Sequence, residues 1–285
     1  MFHFDLRDSV FSHDKSIVAG VPPMLVRWER SESWDGARPV FFSHEKMLSN
    51  EVDAITPMNR YGLLVESEAI LPDLYKAVTS VMWKFRAVFT HSDTLLRNNS
   101  NAKWIPGSGT WIGGDFAGGE PSIYPKTKTC SMISSRKWSA PLHRKRLAIA
   151  YLLRNSTRDV DVFIPRWRSR NLISILDTLI DYRYSIVIEN FIGRGYFTEK
   201  ILNCFATGTV PIYLGSPNIS QYFDARGIIQ IGGLRDLLQI ALPMMSVRDY
   251  DRRLGAIESN FRTCGEYGAI EDYIVQTYPG LFENL

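Results

Sequence analysis

IENFIGRGYFTEKILNCFATGTVPIYLGSP, residues 188–217, is the stretch that decides the fold. It begins inside a nearly all-apolar run, YSIVIEN (184–190), that ends in a carboxylate and an amide, Glu189 and Asn190. A loop containing Gly193 and Gly195 leads to Thr198, a residue type that caps helices by accepting a backbone N–H. TEKILNCFATG (198–208) has helical spacing and stops at Gly208, a common helix terminator. TVPIYLG (209–215) reads as a second apolar strand, closed by the turn Gly215-Ser216-Pro217. Strand, helix and strand of these lengths make a βαβ unit. Such apolar strands predict a parallel sheet covered on both faces.

The same alternation extends outward. TCSMIS (129–134) and VDVFI (160–164) read as strands, HRKRLAIAYLLRN (143–155) and NLISILDTLIDY (171–182) as helices, GIIQI (227–231) as a last strand, and 247–278 as a mostly helical tail. GSGTWIGGDFAGGEPSIYPKTK (107–128) is rich in Gly and Pro and predicts a loop or interdomain linker. Before it, PVFFS (39–43), YGLLVES (61–67) and RAVFTHS (86–92) read as strands, with a helix over DLYKAVTSVMWKF (73–85). The chain therefore divides into a domain over 1–118 and a second over 119–285 that includes the tail.

The 33 basic and 30 acidic residues give a net charge of +3. That is too balanced for a general nucleic-acid binder and leaves room for a local basic pocket. Cys130, Cys204 and Cys264 are odd in number and show no paired spacing, so neither a disulfide framework nor a zinc site is expected. The N-terminus, MFHFDLRDSVFSHDK, lacks a basic region followed by a long apolar run, and no stretch approaches the roughly 20 apolar residues of a membrane span. The expectation is a cytoplasmic protein without a membrane span, with peripheral association and oligomeric state left open. Asp159-Val160-Asp161 places two carboxylates on one side of a strand, where they could grip a divalent ion. The pair stands at the start of that strand, not past its end, and the five histidines show no ligand spacing, so no metal site is expected.

In open α/β sheets, ligands bind beyond the carboxyl ends of the strands. There the helix start at Thr198 offers free amides and a positive dipole end to an anion. Lys200 adds a full charge suited to phosphate. Glu199 either accepts from sugar hydroxyls or merely complements the dipole. The turn Gly215-Ser216 lies on the same sheet edge and closes a pocket.

Glu189-Asn190, Tyr196-Phe197-Thr198-Glu199-Lys200, Gly208-Thr209-Val210-Pro211 and Gly215-Ser216-Pro217 together resemble the signature of glycosyltransferase family 10, the α-1,3/1,4-fucosyltransferases. The resemblance is close from about Lys128 to Ile231 and faint across the N-terminal third. It implies a GT-B type α/β fold, two Rossmann-like domains facing a cleft. It also implies GDP-fucose as donor with no further cofactor, a glycan hydroxyl as acceptor, and inversion at the anomeric carbon. In that family the counterpart of Arg146 (with Arg144 as the alternative) meets the diphosphate. Those of Tyr196, Glu199 and Lys200 hold the nucleotide and its phosphates, and Glu189, Asn190, Thr198, Gly215 and Ser216 complete the donor-binding run. Single displacement needs a base for the acceptor hydroxyl and positive charge for the departing diphosphate. Glu66, at the carboxyl end of a first-domain strand and near the place of the family's N-terminal catalytic glutamate, is the first candidate. Glu68 is second and Glu45 third. Two other readings stand beside transfer of fucose: a GT-B transferase for another nucleotide sugar, and an inactive protein that binds nucleotide sugar or carbohydrate.

Overall fold

Short apolar strands build two sheets in the computed structural model, which describes residues 1–9, 16–17, 20–31, 33–156, 159–165 and 174–283. The first sheet contains β1 (Phe2–Arg7), β2 (Val26–Glu29), β3 (Val40–Ser43), β4 (Arg60–Leu64), β5 (Ala87–Thr90) and β6 (Ala102–Trp104), in the order β2-β1-β3-β4-β5-β6. The second contains β7 (Lys128–Ile133), β8 (Val160–Phe163), β9 (Tyr182–Ile188), β10 (Val210–Leu214) and β11 (Ile229–Gln230), in the order β11-β10-β9-β7-β8. Every ladder is parallel. In each sheet the second strand lies outside the first and the third starts off in the other direction. The winding therefore reverses between β1 and β3, and again between β7 and β9. This is the doubly wound, Rossmann-like arrangement of a GT-B protein, with a crevice expected at each reversal.

The helices follow from their spacing. Pro72–Thr79 (α1) turns Leu74, Tyr75 and Val78 onto the first sheet. Asp93–Asn98 (α2) is capped by the Ser92 side chain. Pro141–Ser156 (α3) starts on a proline, whose fixed φ suits a first helical position. Glu199–Ala206 (α4) is capped by Thr198 and buries Ile201, Leu202 and Phe205. The helix expected over 171–182 is not formed within the described residues 174–181, which make one 3-10 turn, Leu176–Thr178. From Tyr182 the chain is already paired as β9 with β7. Residues 171–173 of that expected helix lie outside the described residues.

Two segments tie the halves together. The tail is helical over Val247–Arg252, Leu254–Cys264 and Ile270–Thr277. Its last helix crosses back to the first sheet, where Ile270, Ile274 and Val275 share a core with Phe4, Phe41, Tyr61 and Phe89. The Glu271 carboxylate accepts from Ile17 N (2.6 Å) and Trp28 Nε1 (3.1 Å), pinning the helix there. The Gly-rich segment after β6 is a loop, as expected, but its start is buried in the seam. Gly107 N donates to Phe197 O (2.9 Å) and Thr110 N to Gly268 O (3.0 Å). A Cβ on Gly109 would stand 2.4 Å from Gly268 O, so close backbone approach explains that glycine. The boundary expected at 118 falls in this segment, between β6 and β7.

Candidate active site

The reversal between β7 and β9 is occupied by a guanidinium. Arg146 lies one turn into α3 and shares a face with Ala150 and Leu153, both buried, whereas Arg144 faces outward. Its Nη1 donates to Ile188 O at the end of β9 (3.2 Å), and its Nη2 to Ser135 Oγ just past β7 (3.0 Å). Nε is buried without a partner among the described residues. Among the described residues no carboxylate lies within ion-pair distance of this cation. Burial lowers its pKa, opposed by Glu189 and Glu199, but a guanidinium stays charged. A buried cation with unused donor capacity is what an anion would complete.

The start of α4 is organised differently from its sequence reading. Glu189, fully buried, accepts from Thr198 N (3.1 Å) and from Thr198 Oγ1 (2.8 Å to Oε2). Lys200 Nζ is 3.2 Å from Glu189 and 3.0 Å from Glu199, and it donates to Thr198 Oγ1 (2.9 Å). Desolvation favours the neutral amine, but the two carboxylates outweigh it and raise the Lys200 pKa, so the charge is retained. The Thr198 amide, expected to be open to an anion, is thus spent on Glu189. The positive charge here resides in the Lys200 side chain.

Glu66 comes from the other half, two residues past β4. Its Oε1 accepts from Ser67 N (2.9 Å) and lies 3.4 Å from Asn190 Nδ2, across the seam. Tyr196 OH donates to Asn190 Oδ1 (2.6 Å), which turns the amide nitrogen toward Glu66. Burial keeps that phenol protonated. Glu66 Oε2 has no partner among the described residues.

These groups line one cavity of about 520 Å³ whose wall includes Glu66, Arg146, Asn190, Tyr196, Thr198, Glu199 and Lys200. Residues 123–253 match the family described as glycosyltransferase family 10 (fucosyltransferase) C-term. Residues 123–253 thus carry a glycosyltransferase family 10 domain. Over 53 residues the chain is 36% identical to the alpha-(1,3)-fucosyltransferase FucT of Helicobacter pylori, a match covering 19% of this chain and 11% of that protein. Among solved structures, the crystal structure of TarM superposes with a TM-score of 0.51 at 11% identity, covering 86% of this chain and 54% of TarM, a likeness of fold. A crystal structure of alpha1,3-fucosyltransferase with GDP-fucose gives 0.48 at 14% identity, covering 91% and 80%.

Within residues 123–253, three of the donor-binding residues expected from sequence stand behind the cavity wall. Glu189 holds Thr198 and Lys200 in place. Ser216 Oγ accepts from Gly195 N (3.0 Å), fixing the glycine loop. A Cβ on Gly215 would fall 2.3 Å from Tyr213 OH and 2.8 Å from Glu189 Cγ, so only glycine fits there. Glu68 and Glu45 do not line the cavity, and Glu45 is exposed. Ser135 and His143, which no motif of the sequence singles out, also reach the cavity. His143 lines the cavity and accepts from Ala140 N on Nδ1 (3.3 Å). Burial, with Arg146 and Lys200 adding to it, lowers its pKa to about 4 and keeps it neutral. Asp161 accepts from Tyr182 OH (2.7 Å), away from this cavity. Among the described residues, no group of three or more His, Cys, Asp or Glu is placed to hold a metal ion.

Proposed function

We propose that this chain is an inverting fucosyltransferase that moves fucose from GDP-fucose to a hydroxyl of a glycan acceptor. The observation that carries the reading is the division of labour around one cavity. A carboxylate, Glu66, whose second oxygen has no partner among the described residues, comes from the first half, and two cations, the buried Arg146 and the half-buried Lys200, come from the second. The family of residues 123–253 supports the donor. Glu66 Oε2 takes the proton of the acceptor hydroxyl as that oxygen bonds to the anomeric carbon. The bond from that carbon to the β-phosphate oxygen breaks on the opposite face, and its electron pair leaves with GDP. Arg146 and Lys200 meet the charge that develops there, which is where fixed positive groups lower a barrier most. Tyr196, Asn190 and Thr198 shape the donor pocket, and Glu199 accepts from donor hydroxyls. The two cations supply the neutralisation that a metal ion gives other transferases. Three unpaired cysteines, all buried, accord with a reducing, cytoplasmic setting.

The test is GDP release and product formation by the purified protein with GDP-fucose and a panel of glycan acceptors, beside thermal shifts with other nucleotide sugars. A ligand bound at 100 times its Kd stabilises by about 2.7 kcal/mol. Transfer from GDP-fucose supports the reading. A shift with a different nucleotide sugar and none with GDP-fucose defeats it, as does binding of GDP-fucose without turnover on any acceptor.

A further inference from the structure

Two residues that never reach the cavity hold the main chain of Glu66. His44 follows β3 directly, is buried, and has φ +50°, the only positive value at a non-glycine residue among those described. Such a backbone is strained and persists only where the surroundings fix it. Here it brings His44 Nε2 to 3.1 Å from Glu66 N. An amide nitrogen can only donate, so Nε2 carries the lone pair and the ring is neutral. Desolvation secures this by lowering the ring's pKa to about 4, against the pull of Glu45 and Asp8. On the other side of the same residue, Tyr75 OH donates to Glu66 O (2.6 Å). That uses its one proton, so the contact of 3.4 Å to His91 Nε2 has the histidine donating. His44, past the end of β3, and Tyr75 of α1 therefore grip Glu66 by its N–H and its C=O, and His91, past the end of β5, backs the Tyr75 hydroxyl.

We propose that His44 and Tyr75 are positioning residues for the glycosyl transfer: they fix the backbone of Glu66 so that its carboxylate meets the acceptor hydroxyl in line with the departing diphosphate. This rests on the transfer reading above. Neither side chain lines the donor cavity, so the effect belongs to the chemical step and not to donor affinity.

The experiment compares His44→Gly, His44→Gln and Tyr75→Phe in the full chain. Glycine relieves the backbone and removes the acceptor. Glutamine restores an acceptor as many bonds from Cα as Nε2. Phenylalanine keeps the ring of Tyr75 and deletes only its hydroxyl. His44→Gly and Tyr75→Phe are expected to bind GDP in titration as the wild type does, with an unchanged KM for donor and a kcat lower by about tenfold to a hundredfold, the scale of an ångström's misplacement. His44→Gln should recover most of the loss. Wild-type kcat in both depleted variants overturns the proposal, and so does a glutamine variant no better than glycine, or a loss appearing in GDP affinity instead of kcat. Should His44→Gly fail to fold, Tyr75→Phe decides alone. A wild-type protein that transfers nothing defeats the functional reading itself, whereas active wild type with unaffected variants defeats only this inference.

Discussion

Replacing Arg146 separates what this side chain does for catalysis from what it does for the fold. The guanidinium is buried, and among the described residues its Nε lacks a partner and its two other contacts are to neutral oxygens, Ile188 O and Ser135 Oγ. At about 4 Å and an effective dielectric near 20, a unit charge pair is worth about 4 kcal/mol. Deleting one preorganised group aimed at developing charge costs about 10²–10³ in kcat. Arg146→Met is therefore expected to lower kcat by that factor. Arg146→Lys keeps the charge but loses the planar fork, so its loss should be smaller. Stability should behave otherwise. The methionine leaves Ile188 O without its donor, which costs about 1–3 kcal/mol. It also removes a buried ion that no contacting carboxylate among the described residues balances, and this offsets the cost by a similar amount. Calorimetry should then show Tm moving by no more than about 4 °C. Single-turnover transfer with GDP-fucose reads the first effect. A methionine variant that retains wild-type kcat, while still binding GDP, would refute the assignment of Arg146 to the leaving group. A collapse of Tm would show instead that the arginine is structural.

Glu66→Gln should abolish transfer while GDP titrates as in the wild type; retained turnover would move the base elsewhere. Lys200→Met strands Glu189 as an unpaired buried carboxylate and should destabilise by about 3–5 kcal/mol in denaturant unfolding. The double variant Glu189→Gln, Lys200→Met should regain stability without activity, and recovery of both would contradict a phosphate role for Lys200. Transfer should survive EDTA at wild-type rate, and a loss restored by a divalent ion would count against the two cations as sufficient. Buried His91 has its pKa lowered to about 3, chiefly by desolvation. Its folded pKa lies below the unfolded 6.5, so the unfolded chain binds more protons between those values, and stability falls as pH drops below about 6.5. At pH 5 the loss from this one group is about 2 kcal/mol. Buried Glu189 and Glu271, whose pKa values are raised by desolvation, act in the opposite direction. The comparison is therefore between wild type and His91→Phe, which should lose less stability between pH 7 and 5; equal slopes would show that His91 titrates normally.

The second half was readable because its fold signals and its chemistry occupy the same short run. Thr198 caps α4, Gly208 ends it, and Glu189, Asn190 and Lys200 fall at the ends of the elements that place them. Spacing does not separate Arg146 from Arg144, since Arg144 recurs with Leu147, Ala148 and Tyr151 as Arg146 does with Ile149, Ala150 and Leu153; the exposure of Ala148 and Tyr151 in the fold decides it. The first half resisted for physical reasons. Strands β2 and β6 have four and three residues and gain their identity from neighbours. One helix covering that sheet arrives from Ile270–Thr277, at the far end of the chain, where no local pattern announces its partner. The rule that ligands gather past the carboxyl ends of strands pointed to Glu66 and, followed one strand either way, reaches His44 and His91.

Why the base should come from the first half follows from the charges of the second. Two carboxylates stand beside the proposed diphosphate site, Glu189 and Glu199, and Lys200 lies within 3.2 Å and 3.0 Å of them. Glu189 stands behind the cavity wall, and Glu199 is engaged by Lys200, the cation that meets the leaving group. Either carboxylate would also approach from the leaving group's side, the wrong face for inversion. Glu66 has no cation within ion-pair distance among the described residues, and neutral partners hold it: a backbone amide, Asn190, His44 and Tyr75. Separating the base from the cations by a domain seam lets one cavity stabilise a departing anion while keeping a proton acceptor opposite it, and the amide of Asn190 joins the two sides without adding charge to either.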